Sequence, residues 1–227
     1  MTYLQLVVRL ASEAGVSGTM ASVVGQTGES LRLVNWINSA YESTQNANTT
    51  WKFMRHGFTL NTVPGTDEYA YGACTDTDLG SAIVNFGRWA TDTFKLYKTS
   101  VADETEVDCM DYADWRRIYR IGSQTANRPT NATVLPSDKI GLGAKPDGVY
   151  VFSGDYYRSA TTLSANGDIP VVPPQYHMVI VWRALMLYAQ YEEAGSLYAT
   201  AEREFTKVNR MLELNQLPSI MMAGPMA

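Results

Sequence analysis

Cysteine, histidine and charge are all scarce in this chain. Its 227 residues include two cysteines, Cys74 and Cys109, and two histidines, His56 and His177. The cysteines have no C-x-x-C spacing, which excludes the usual zinc-ribbon and dithiol motifs. They read as reduced thiols of a protein made in the cytoplasm. Neither has a basic neighbour in sequence to lower its pKa, so neither is a candidate nucleophile. The histidines lie far apart. His177 falls in the first turn of an apolar helix, where a structural role with one backbone partner is expected. There is no P-loop, G-x-G-x-x-G, H-E-x-x-H or G-x-S-x-G motif. Gly141-Leu-Gly143 alone is a turn, not a phosphate cradle. No catalytic residue, metal or cofactor is expected, and the chain reads as non-enzymatic.

Charged residues make up 18% and the net charge is −5. An acidic chain without a basic footprint is not a free-standing nucleic-acid binder. The N-terminus lacks a basic n-region and carries Arg9 inside its apolar run, so it does not read as a signal peptide. No heptad array, repeat or low-complexity tract is present.

What is present begins with an apolar stretch. From Met178 to Tyr191 nearly every position is apolar, and Arg183 and Gln190 leave only a narrow polar stripe. Such a helix is buried on most sides. Its fourteen residues rise about 21 Å, short of a bilayer core of about 30 Å, so no membrane span is expected. Pro170, Pro173 and Pro174 hold its approach extended. Gly195 is expected to break or bend it. Leu197, Ala201, Phe205, Val208 and Leu212 then form one stripe of an amphipathic helix. Near the N-terminus, residues 2–14 place Leu4, Val7, Val8, Ala11 and Ala14 on one face. A second helix carries Leu33, Trp36, Ile37, Ala40, Tyr41 and Thr44, with Thr27 or Ser30 as its cap.

The middle reads differently. Phe58–Val63 alternates, and Glu68–Tyr71 is its expected hairpin partner across Pro64-Gly65. Ala82–Phe86 and Thr93–Lys98 are strand candidates separated by Gly87-Arg88-Trp89. Asp111–Arg120 reads as a short helix. Thr133–Leu135, Lys139–Leu142, Val149–Phe152 and Asp155–Arg158 complete the strand set around the Lys145-Pro-Asp-Gly148 turn. The expected fold is therefore α+β. A small bundle of N- and C-terminal helices (1–56 plus 173–214) carries an inserted antiparallel β-sheet or sandwich (57–172). A tail follows (215–227).

Three surface features carry functional expectations. The tail has no charge after Leu217 and contains Pro218, Ile220, Met221, Met222 and Met226. Such a segment either docks on a partner, where methionine adapts to irregular pockets, or folds back or frays. Asp103, Glu104, Glu106 and Asp108, followed by Asp111, form an acidic loop. No glycine there permits the sharp turn of a calcium loop. The loop is solvated or repels phosphate. Arg116, Arg117 and Arg120 are expected to pair with it. The five tryptophans and fourteen tyrosines suit cross-strand packing or subunit contacts better than a carbohydrate platform.

The order of landmarks resembles the adaptor (head-completion, head–tail connector) proteins of short-tailed and related tailed bacteriophages. The resemblance runs through Trp36-Ile-Asn38, Trp51-Lys-Phe53, Val84-Asn-Phe-Gly-Arg-Trp89 and Asp111-Tyr112 with Trp115. It is densest in Lys145-Pro-Asp-Gly-Val-Tyr150, Asp155-Tyr-Tyr-Arg158 and Asp168-Ile-Pro170. It ends in Pro173-Pro-Gln-Tyr-His177 and Val181-Trp-Arg-Ala184. What the resemblance implies is a structural virion protein of the neck, at the head–tail junction. Such a protein forms a homo-oligomeric ring of twelve copies under the portal protein and extends the DNA channel. Genomic DNA passes without sequence-specific binding. Trp36, Ile37, Tyr41, Trp182, Leu185 and Tyr188 would belong to the core and ring helices. The β region would face tail nozzle or tail fibre proteins. The tail (Leu217, Pro218, Ile220, Met221, Met222, Met226) would bind the portal, and Asp103, Glu104, Glu106 and Asp108 would face the channel. The alternative is a carbohydrate- or receptor-binding β module of a virion.

Overall fold

A computed structural model of the chain describes residues 1–18, 20–99 and 101–218. The fold is α+β. Among the described residues the helices are α1 (Tyr3–Glu13), α2 (Gly28–Asn46), α3 (Tyr112–Tyr119), α4 (Met178–Tyr191) and α5 (Gly195–Gln216). The chain divides into two compact units. One comprises Met1–Met54 with everything from Ala160 onward, and the other Arg55–Ser159.

The first unit holds α1, α2, α4 and α5. α1 starts at a capping box: the Thr2 hydroxyl accepts the Gln5 amide, and the Gln5 side chain accepts the Thr2 amide,. Its buried face is Tyr3, Leu6, Val7, Leu10 and Ala11. The expected stripe through Leu4 and Val8 is therefore rotated, and Val8 is exposed. The cause is Tyr3, which turns inward and donates its hydroxyl to the Val34 carbonyl at 2.9 Å. α2 buries Leu33, Val34, Ile37, Ala40, Tyr41, Thr44 and Gln45. Two of its amides, seven residues apart, hold an extended segment in place. Asn38 bonds both the carbonyl and the amide of Leu163, each at 2.9 Å. Gln45 does the same with Thr161, at 2.8 and 3.1 Å. Each amide side chain thus mimics a strand partner and satisfies backbone that no sheet covers.

α4 buries Val179, Ile180, Val181, Ala184, Leu185 and Ala189. His177 precedes it. Its Nε2 donates to the Val172 carbonyl at 2.8 Å. Nδ1 is then the acceptor and lies 2.6 Å from the Met1 amino group. The break after α4 is not at Gly195, which opens α5. It falls at Glu192–Ala194, where Glu193 takes φ 53°. The left-handed residue ends the helix, as a C-terminal cap does.

Among its described residues the second unit contains ten strands. A six-stranded sheet runs in the order β4 (Ser81–Ala82), β3 (Thr75–Asp76), β1 (Arg55–Asn61), β10 (Val151–Arg158), β5 (Phe86–Tyr97), β6 (Thr105–Glu106). A four-stranded sheet runs β2 (Glu68–Tyr69), β9 (Ile140–Gly143), β8 (Asn131–Val134), β7 (Asp108–Cys109). All pairings are antiparallel except β7 with β8. Both sheets contribute to one aromatic core, with Phe58, Trp89, Phe94, Phe152 and Tyr156 from the larger and Tyr69, Ala132, Ile140 and Leu142 from the smaller. α3, capped by the Asp111 side chain on the Ala113 amide, buries Trp115.

Three sequence expectations fail here for identifiable reasons. Glu68-Tyr69 does not pair with β1, because β10 and β3 already occupy its two edges; it pairs with β9 instead. Ala82–Phe86 and Thr93–Lys98 are not two strands about a turn. Gly87 lies inside the single strand β5, where an added Cβ would sit 2.9 Å from the Tyr157 carbonyl oxygen. That glycine serves close approach of two backbones rather than a turn. Val149–Phe152 and Asp155–Arg158 likewise merge into β10. A register shift between Ser153 and Asp155 marks where the sequence pattern slips,.

Candidate functional site

In the second unit, β1 and the turn after β3 bring polar groups together. Asp76 is fully buried. Its Oδ1 accepts the amides of Asp78 and Leu79 at 2.8 and 2.9 Å. Its Oδ2 accepts the Tyr156 hydroxyl at 2.6 Å and lies 2.9 Å from His56 Nδ1. The same His56 nitrogen is 3.5 Å from Asp78 Oδ2. Burial alone would raise the Asp76 pKa. The Tyr156 hydroxyl, the two amides and His56 outweigh it and hold the carboxyl below its ordinary range,. Tyr156 is pushed well above its ordinary range by burial and by that carboxylate. A neutral phenol therefore donates to a buried anion. The turn seats on β1 at Gly57, whose carbonyl accepts the Thr77 amide at 3.0 Å. A Cβ at Gly57 would stand 2.5 Å from Thr77 Oγ1.

Sequence reasoning missed this group. His56 is remote in sequence from His177 and has no His, Cys, Asp or Glu beside it. The available signal was the Asp76-x-Asp78 spacing. What joins it to His56 is the register of β1 on β3, with Phe58 opposite Asp76.

The acidic loop is part of the same unit. The Asp103 carboxylate accepts the Lys98 amide at 2.9 Å and pairs with Arg128 at 2.5 Å. Arg128 also donates to the Leu96 and Asp103 carbonyls. The Lys98 amide, opposed by burial and joined by Arg128, keeps the Asp103 carboxyl below its ordinary range. Glu104 pairs with Lys95 at 3.5 Å. Glu106, the last residue of β6, and Asp108, the first of β7, are exposed. The arginines of α3 turn elsewhere than expected. Arg120 pairs with Glu68 and stands 3.9 Å from Asp67. Arg117 bonds Asp114 of its own helix at 3.0 Å. Burial pushes the Cys74 thiol up to about 12. It also raises that of Cys109, against a hydrogen bond from Thr91. Neither is a thiolate near neutrality.

In the helical unit, Ile37, Tyr41 and Leu185 are buried. Trp36, Trp182 and Tyr188 are half-buried. Trp36 meets Tyr188 edge-on at 5.7 Å and Tyr191 at the same distance. Arg32 lies 4.5 Å over the Tyr191 ring and bonds its hydroxyl. α5 has 22 residues and buries only Ala201 and Leu212. Its stripe residues Leu197, Phe205 and Val208 are half-buried, while Met211 and Leu214 are exposed. Leu217 and Pro218 follow the helix, with Leu217 half-buried and Pro218 exposed. Ile220, Met221, Met222 and Met226 lie outside the described residues.

A protein-family model described as SU10 adaptor protein matches residues 1–226. The chain belongs to this family. It is a tailed-bacteriophage adaptor protein, a structural component of the virion. No curated protein matches the chain. No helix among the described residues is long and apolar enough to cross a membrane.

Proposed function

We propose that this adaptor assembles as a homo-oligomeric ring, twelve copies expected, between the portal protein and the tail, and extends the DNA channel. The observation that carries this reading is α5. A 22-residue helix with only two buried residues forgoes most of the apolar burial that stabilises a helix in a single chain. Its apolar positions Met211 and Leu214 face outward, and Trp182 on α4 is half-buried. Exposed apolar side chains on so sparsely buried a helix offer an interaction surface. Neighbouring copies of the same chain are the partner that a ring supplies at every position.

In this account the helical unit provides the ring wall. Trp36, Ile37, Tyr41, Trp182, Leu185 and Tyr188 form its core and flanks, the half-buried ones meeting the next copy. The β-rich unit provides the contacts to nozzle or tail fibre proteins. The tail, including Leu217, Pro218, Ile220, Met221, Met222 and Met226, orders in grooves of the portal, at an entropic cost that repetition around the ring offsets. Glu106 and Asp108 give the channel wall negative charge, so the phosphate backbone slides without adhering. Asp103 and Glu104 lie in the same loop with their charges paired to Arg128 and Lys95. The aromatic side chains of the β unit are largely spent in its core, which leaves little for a sugar platform.

The test compares the full chain with one ending at Gln216, each mixed with the matching portal ring and imaged by electron microscopy. The account expects a collar on the portal with the full chain and none with the shortened one. A collar with both moves the anchor from the tail to the helices. A bare portal with both overturns the reading.

A further inference from the structure

The geometry points to a divalent transition-metal site formed by His56, Asp76 and Asp78. One nitrogen and two carboxylate oxygens of these residues lie within 4.8 Å of one another. Ligands held about 2.1 Å from one ion stand about 3.0 Å apart at right angles and about 3.4 Å apart at the tetrahedral angle. Two edges of the triangle already have those lengths. His56 Nδ1 is 2.9 Å from Asp76 Oδ2 and 3.5 Å from Asp78 Oδ2. The third edge closes by rotating the Asp78 side chain, which is 60% exposed and free to turn, whereas Asp76 is 0% exposed and fixed.

The surroundings are those of a supported site. Asp76 spends Oδ1 on two amides of its own turn and takes the Tyr156 hydroxyl on Oδ2. That hydroxyl bonds the ligating oxygen itself and fixes the carboxylate's orientation, as the outer partners of metal ligands do,. The turn cannot drift from His56, because Thr77 is seated on the Gly57 backbone. The open side, at Asp78, leaves coordination positions for water. One imidazole and two carboxylates suit zinc, manganese or cobalt. They are too few oxygens for calcium, which takes six or more. The ion binds the Nδ1 lone pair in place of the contact to Asp76, and the ring then carries its proton on Nε2,. The consequence of binding is a clip that fastens the 76–79 turn to β1.

The test uses the full chain, first stripped with a chelator, then titrated calorimetrically with zinc or manganese chloride, with melting followed in parallel. The expected result is one ion per chain and a melting temperature that rises with the ion and returns on chelation. Asp78→Asn, at an exposed position that leaves the fold intact, is expected to weaken binding by about tenfold or more. His56→Asn is expected to do the same, and Glu106→Gln in the acidic loop to have no effect. Absence of binding at millimolar ion overturns the proposal. So does binding that Asp78→Asn and His56→Asn leave unchanged.

Discussion

His177 illustrates how much one buried side chain settles in this protein. Burial holds its imidazole below the ordinary histidine range, with the Met1 ammonium acting in the same direction and the Val172 and Pro170 carbonyls opposing. The folded state therefore resists a proton that the unfolded chain accepts at about pH 6.5. Stability from this group is full above that value and is lost as pH falls through the folded pKa. Denaturant titrations between about pH 5 and 8 check this, because Asp76, Asp103 and Asp168, all held low, lose their contributions only at lower pH. Wild type is expected to weaken on acidification in that window, and His177→Gln to show a flatter profile. Equal slopes would remove His177 as the cause. The expected structural role of this residue was legible because a histidine opening an apolar helix has few other uses. The role of His56 was not, because its partners stand twenty residues on and only strand register joins them.

At the scale of elements, helices were easier to read than strands. The apolar run of α4 and the one-sided stripe of α5 set their limits to within a few residues, since side chains three and four apart must share a face. The rotation of α1 escaped, because Tyr3 was not counted among its apolar residues although its ring is buried and only its hydroxyl is polar. Strand pairing was harder still. Nothing local in Glu68-Tyr69 distinguishes a hairpin partner of β1 from a partner of β9, seventy-odd residues away. Pairing is decided by which edges other strands have taken. The acidic loop was legible as a charge cluster, but its partner Arg128 was not, for the same reason of sequence distance. α5 supplies the element-scale prediction. Met211→Glu with Leu214→Glu, at positions 50% and 79% exposed, is expected to change folding stability by less than about 0.5 kcal/mol. The same double change is expected to abolish ring assembly, measured by light scattering in the presence of the portal. Loss of the fold, or unaltered assembly, would remove α5 as the subunit contact.

On the scale of the whole molecule, the α+β architecture and the family are matched by a surface economy that suits an assembly part. Charge is sparse, and much of what the acidic loop carries is paired. The longest helix is the least buried. In the proposed ring such a chain completes its apolar burial against its neighbours, and its stability and its assembly would then be linked by mass action. That linkage makes copy number the most direct measure of the account. The mass of the purified complex between the full chain and the matching portal ring gives it. The account predicts a single species with twelve copies of the chain per portal. A chain that keeps the mass of a single copy while the intact portal is present contradicts it.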